Sequence, residues 1–162
     1  MKTIKDKNTL DDKSFIFGTI LVVANKLDTL LERELNPYGV TAKQWFLTAT
    51  VETAFERPPT IKEVAKAMGS SHQNVKQVAL KLKEKGFMKM EKDSKDGRVT
   101  RLSLTEQSRK FWGAMDKTSE IFIREVFKDI DTDNIADLRK GFEKVSMNVF
   151  RMENAEDQKG AE

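Results

Sequence analysis

Between positions 72 and 81 the chain carries His72, Gln73, Asn74, Lys76, Gln77 and Lys81 among valine, alanine and leucine. These amides and cations are hydrogen-bond donors. A side-chain amide makes bidentate bonds to an adenine edge, and lysine reaches guanine or phosphate. The chemistry these types support is therefore non-covalent reading of an anionic, hydrogen-bonding surface. A solvated helix face has the same composition, and this stretch alone leaves both readings open.

Two helices and a tight turn must position these side chains, and the stretch from Thr60 to Gly86 supplies them. Pro58 and Pro59 keep the preceding backbone out of the α region. Thr60 stands at an N-cap position with Glu63 three residues on, the spacing of a capping box. Ile61, Val64, Ala65 and Met68 form one apolar stripe. Gly69 suits a C′ position, where φ is positive. Ser70 and Ser71 offer the next N-cap, Ser71 in the better register. Val75, Val78, Ala79 and Leu82 recur at helical spacing, and Gly86 ends the second helix. Two capped helices joined through glycine form a helix-turn-helix pattern.

Composition narrows the function classes. The chain has 162 residues, no cysteine and one histidine. Disulfides and thiolate metal sites are excluded, and a histidine-rich metal centre has no material. No cofactor is expected. Neither a nucleophile–histidine pairing nor a phosphate-cradling glycine loop is present, so an enzyme is not expected. The first fourteen residues lack the apolar core of a secretory signal. The apolar tract Phe15–Ala24 is too short to span a bilayer. A soluble cytoplasmic protein with no membrane partner is the expectation. From Lys62 to Arg101, eleven basic residues face five acidic ones, a net +6 in a chain whose total is +3. The rest is therefore at −3, and a basic centre between acidic arms suits a polyanion contact confined to one module.

Taken in order, residues from about Ser14 to Leu35 read as a long helix whose apolar side takes in Phe17, Ile20, Leu21, Ala24, Leu27 and Leu31. Phe15, Ile16, Val22, Val23 and Leu30 widen that side until it needs covering on more than one face. A partner chain is the economical cover. Asn36, Pro37 and Gly39 end this helix. Thr41 and Gln44 form a second capping box, and Trp45 and Phe46 read as core. After Gly86, Met88 and Met90 alternate with charged residues, and so do Thr100, Leu102 and Leu104, giving two short strands. Between them Lys92–Gly97 is a turn-rich loop, and the whole is a β-hairpin of the kind called a wing. Lys95, Asp96 and Arg98 lie at its tip. Arginine there suits a narrow minor groove, and Asp96 is placed to hold it through a charge-assisted bond. Thr105 caps one further long helix reaching about Ile130. Asp131 or Asp133 opens the last helix, with a seam of Ile135, Leu138, Phe142, Val145 and Val149. Residues 153–162 are expected to form a mobile tail.

This order of parts resembles the MarR family of winged-helix regulators. The most specific match is KDSKDGRVTRLSLT, residues 92–105, similar to the family's wing signature. Ala65–Gly86 and VTAKQW, residues 40–45, match as well, and the resemblance covers about residues 12–152. It implies a mainly α fold with a small β-hairpin, in the order α-α-α-α-β-β-α-α. Residues 40–104 would be the winged helix-turn-helix domain, and 12–36 with 105–152 a helical dimerisation region. The implied function is a sequence-specific double-stranded DNA-binding regulator, a repressor modulated by a small aromatic or phenolic ligand. It would act as a homodimer on a pseudo-palindromic operator. The implied DNA contacts are Ser70, Ser71, His72, Gln73, Asn74, Lys76, Gln77, Lys81, Lys95, Asp96 and Arg98. The implied ligand pocket draws on Phe17, Trp45, Phe46 and Phe111. Leu80 departs from the family's pattern, which has a polar residue there. The alternative function is a winged helix that docks a protein partner without reading DNA.

Overall fold

The computed structural model describes residues 12–159. Helix α1 (Asp12–Leu35) ends in a 3-10 turn, Asn36–Tyr38. Helices α2 (Ala42–Thr53), α3 (Ile61–Ala67) and α4 (His72–Glu84) follow. Strands β1 (Met88–Lys92) and β2 (Thr100–Leu104) precede α5 (Glu106–Ala114), α6 (Asp116–Val126) and α7 (Thr132–Lys159). The chain divides into two compact units, one up to Trp112 and the other from Gly113 onward.

Local chemistry sets the boundaries of the first unit's helices. Gly39, at φ 70°, closes the turn after α1, its amide bonding the Asn36 carbonyl. Complete capping boxes open α2 at Thr41 and α3 at Thr60. In each the threonine hydroxyl accepts from the N3 amide while Gln44 or Glu63 reaches back to the cap amide. Four amides are satisfied in this way by four side chains, two in each box.

The core of this unit is Leu47, Val51, Ile61, Val64, Val75, Ala79, Leu82, Met88, Leu102 and Leu104, all buried. It draws on α2, α3, α4 and both strands, so the helix-turn-helix and the hairpin share one interior. Full burial of a side chain such as Leu82 contributes about 1.5–3 kcal/mol. The strands pair antiparallel from Met88 opposite Leu104 to Lys92 opposite Thr100. Thr60 adds an isolated antiparallel bridge to Arg101, and the Leu102 amide donates to the Pro59 carbonyl at 2.8 Å. The connection between α2 and α3 thus acts as a third, minimal strand.

Helix α1 touches this core at its C-terminal end, where Leu35 is buried. The Glu32 carboxylate accepts from the Ala42 amide at 2.6 Å, a negative group at the N-terminus of α2. Farther back, Phe15, Ile16, Phe17, Leu21, Val22 and Val23 are exposed. Counted over the whole helix, α1 is long and apolar enough to cross a membrane by length and composition. The tract Phe15–Ala24 understates this, because the apolar run resumes beyond Asn25 and Lys26.

In the second unit, the Asn134 amide donates to Asp131 Oδ1 at 2.8 Å, placing Asp131 at the start of α7. Of the expected seam, Leu138, Phe142, Val145 and Val149 are exposed and Ile135 is half-buried.

One expectation is corrected. The single helix expected from Thr105 to about Ile130 is two, broken at Met115 and ended at Val126. Gly113 near the break weakens helix by about 0.5–1 kcal/mol relative to alanine, and the apolar period runs across the break without registering it. The fold is accordingly mainly α with a β-hairpin, with one more helix than the expected order. Helix α7 continues through Lys159, into the segment 153–162 expected as a mobile tail. Residues 160–162 of that expected tail lie outside the described residues.

Candidate nucleic-acid interface

Helix α4 is held from behind and from both ends. Val75, Ala79 and Leu82 are buried on one side. At its start the Ser71 hydroxyl accepts from the Asn74 amide at 3.1 Å. The turn before it is closed by Gly69, at φ 59°, and by the Ser70 amide donating to the Ala65 carbonyl at 2.9 Å. At its end Lys85 Nζ donates to the Gly39 carbonyl and, at 3.1 Å, to Gln44 Oε1. That lysine ties the end of α4 to the start of α2. Fixed side chains bind with less ordering cost than mobile ones.

Away from the core, His72, Gln73, Asn74, Lys76, Gln77 and Lys81 are all exposed, as is Ser71. Ser70, in the turn, is half-buried, and so is Leu80. Among the described residues Lys76 and Lys81 form no ion pair within 4.0 Å, which leaves their donors to meet a phosphate or a base edge. Every residue expected to read DNA from this helix therefore lies on one accessible face.

The wing tip is built by hydrogen bonds around two aspartates. Asp93 Oδ1 accepts from the amides of Lys95 and Asp96 at 2.9 and 3.0 Å. Asp96 Oδ1 accepts from the Arg98 amide at 2.9 Å. Asp96 thus holds Arg98 by its backbone, where a bond to the guanidinium was expected, and the arginine side chain extends into solvent with that of Lys95. Asp93 Oδ2 accepts from Arg101 Nε. The Arg101 guanidinium beside it, helped by the two amides, lowers the Asp93 pKa from 3.8 to about 2. At the foot of α3, Arg57 pairs with Glu63. That pairing and the Thr60 amide lower the Glu63 pKa from 4.5 to about 2.

Arg101, Asp93, Arg57 and Lys85 are structural anchors that the sequence patterns do not single out. Arg101 and Pro58 stand 43 positions apart, and Lys85 and Gly39 stand 46 apart, so no local spacing reports either pair.

The four residues expected to form a ligand pocket take up different surroundings. Phe17 is 68% exposed on α1. Phe111 packs on Phe87 and Trp112, each at a ring-centroid distance of 4.8 Å. Trp45 is half-buried on α2 beside Phe46, their rings 6.5 Å apart. Phe46 lines a cleft of about 470 Å³ with Asp28, Lys43, Met68, Asn74, Gln77 and Lys81. A neighbouring cleft of about 690 Å³ shares Asp28, Lys43, Val78 and Lys81 and adds Glu32, Arg33 and Thr41. Both lie against α4. Among the described residues no group of three or more His, Cys, Asp or Glu is placed to hold a metal ion.

A core-anchored helix with a polar outer face, followed by a hairpin with a basic tip, defines a winged helix-turn-helix. Its place among known structures is specific. A MarR protein from Peptoclostridium difficile superposes with a TM-score of 0.76 at 17% identity, covering 91% of this chain and 97% of that one. The transcriptional regulator BldR from Sulfolobus solfataricus gives 0.76 at 17% identity over 88% and 99%. AbsC, a MarR family transcriptional regulator from Streptomyces coelicolor, gives 0.74 at 18% over 88% and 98%. No protein-family model matches the sequence. The chain has the winged-helix fold of the MarR-type regulators, and at these identities the likeness is one of fold.

Proposed function

We propose that this chain is a homodimeric, sequence-specific double-stranded DNA-binding regulator, a cytoplasmic repressor rather than an enzyme, whose affinity a small ligand lowers. The observation that carries the reading is the two-sided character of α4. Val75, Ala79 and Leu82 are sunk in the core while Gln73, Asn74, Lys76, Gln77 and Lys81 stand on the open face. A helix so presented enters a major groove, and a neighbouring arginine such as Arg98 suits the minor groove. The net +6 of residues 62–101 adds the sequence-independent attraction to phosphate.

The exposed apolar side chains of α1 and of α7 support a second copy as their cover. Lipid is a poorer cover for α1, because Lys26 and Asp28 interrupt its apolar run. Each charge at the centre of a membrane helix costs about 2.5–3.5 kcal/mol on insertion scales. The clefts beside α4 support ligand control. An aromatic or phenolic ligand resting on Phe46 between Lys43 and Lys81 would touch the same helix that meets DNA.

The test is selection of duplexes from a randomised library by the full chain. Enrichment of two inverted half-sites about 10 base pairs apart, centre to centre, is expected. Failure to enrich any sequence would contradict the proposal.

A further inference from the structure

Among the side chains that tie the wing to the rest of its unit, one has a role outside the reading of bases. Arg101 stands on β2, its side chain 32% exposed. It donates through Nε to Asp93 on the wing loop and through Nη1 to the Pro58 carbonyl, at 2.8 Å, on the connection between α2 and α3. Asp93, its side chain only 11% exposed, passes the constraint on to the amides of Lys95 and Asp96. Asp96 in turn holds the amide of Arg98. An unbroken chain of hydrogen bonds therefore runs from Pro58, next to the start of the helix-turn-helix, to the tip arginine.

We propose that Arg101 is the positioning residue of the wing, fixing where Arg98 is presented by clamping the Asp93 loop to Pro58. The inference rests on the DNA-binding reading above and adds to it a residue that itself need not touch DNA. The chemistry favours arginine. Its planar guanidinium offers donors in fixed directions to two acceptors at once, whereas a lysine ammonium on a flexible stem meets them without that directional lock. A hairpin free to sway at its base would have to be ordered on binding, and that ordering lowers affinity. Because the clamp acts through Arg98, removing either should remove the benefit of the other, and such coupling is what a double-mutant cycle measures.

The experiment uses the full chain and the duplex it selects from a randomised library. Arg101→Gln should weaken binding about tenfold, as should Arg98→Ala. The double variant should be no weaker than Arg98→Ala alone. Losses that multiply would overturn the proposal, because Arg101 would then act independently of Arg98. Arg101→Lys should fail to restore binding, and full restoration by lysine would also contradict the clamp. A second readout needs no DNA. Amide relaxation at Lys95, Asp96 and Arg98 should show a wing loop loosened by Arg101→Gln or Asp93→Asn while β1 and β2 keep their order. An unchanged wing loop in both variants would overturn the clamp. If the wild-type chain selects no duplex, the DNA reading fails, and the relaxation data still decide whether Arg101 positions the wing.

Discussion

Thr60 and Arg101 face one another across an isolated antiparallel bridge, and each does a second job there. Thr60 caps α3 through its hydroxyl, while Arg101 reaches from β2 to Asp93 and Pro58. The start of the helix-turn-helix and the base of the wing are therefore one joint. Thr60→Ala removes the cap oxygen from the Glu63 amide and should cost about 1 kcal/mol in urea unfolding. Thr41→Ala, the same box on α2, should cost a similar amount. Only the Thr60 variant should speed amide exchange at Leu102, which bonds the adjacent Pro59 carbonyl. Equal exchange at Leu102 in both variants would argue against a shared joint.

The same region predicts an acid sensitivity with a definite sign. Glu63 and Asp93 both have folded-state pKa values lowered to about 2, from 4.5 and 3.8. The fold favours their ionised forms, so their contribution is present above the ordinary values and is lost as pH falls toward 2. The melting temperature of the wild-type chain should therefore drop between about pH 5 and 2. Glu63→Gln combined with Asp93→Asn should be less stable at neutral pH and show a shallower drop. A slope in the double variant as steep as in the wild type would show that other carboxyls carry the acid transition.

Two glycines separate backbone strain from crowding. Gly69 has φ 59° and open space where a Cβ would stand, so Gly69→Ala should cost about 1–2 kcal/mol from the left-handed backbone alone. At Gly86, with φ 74°, a Cβ would lie 2.9 Å from Gln107 Oε1. Gln107 is exposed and the end of its side chain can turn aside, so Gly86→Ala should cost about as much as Gly69→Ala in thermal unfolding, and adding Gln107→Ala should change little. A marked relief from the second substitution would show that crowding adds to the backbone strain.

Much of this was legible in the sequence because the decisive interactions are local. Capping boxes span three residues, and the apolar stripe of α4 repeats within one helix. The positions of α2, α3, α4 and the hairpin follow from such signals, as does the open face carrying Gln73 to Lys81. The anchors were not legible. Nothing near Arg101 in the chain announces Pro58, and nothing near Lys85 announces Gly39, because those partners meet only once the core has formed. The break at Met115 was hidden for the opposite reason: Phe111, Trp112, Phe122 and Val126 keep a helical period across it. Phe111, one of the four aromatic residues that the resemblance assigns to a pocket, also packs on Phe87, a contact no local spacing announces.

The exposed face of α1 gives a further prediction. Phe17 and Leu21 are more than half exposed in the single chain, so Phe17→Asp with Leu21→Asp should leave the monomer's fold intact. Buried against a second copy, those carboxylates would be desolvated without a partner, at a cost of several kcal/mol. Sedimentation should show a dimer for the wild type and a shift to monomer for the variant. A wild-type chain that stays monomeric at micromolar concentration would remove the dimer from the account.

The central claim is that the outer face of α4 and the wing tip bind duplex DNA together. Titrating the full chain against its selected duplex over a range of salt concentrations tests it most directly. The account predicts a linear fall of log affinity with log salt, with a slope of about −0.9 for each phosphate neutralised. Lys76→Ala should reduce that slope by about one, lowering affinity for all sequences alike. Gln73→Ala should leave the slope unchanged while reducing the preference for the selected duplex over a scrambled one by roughly 1–3 kcal/mol. A salt-independent affinity, or a preference untouched by loss of Gln73, Asn74 and Gln77 together, would contradict the account.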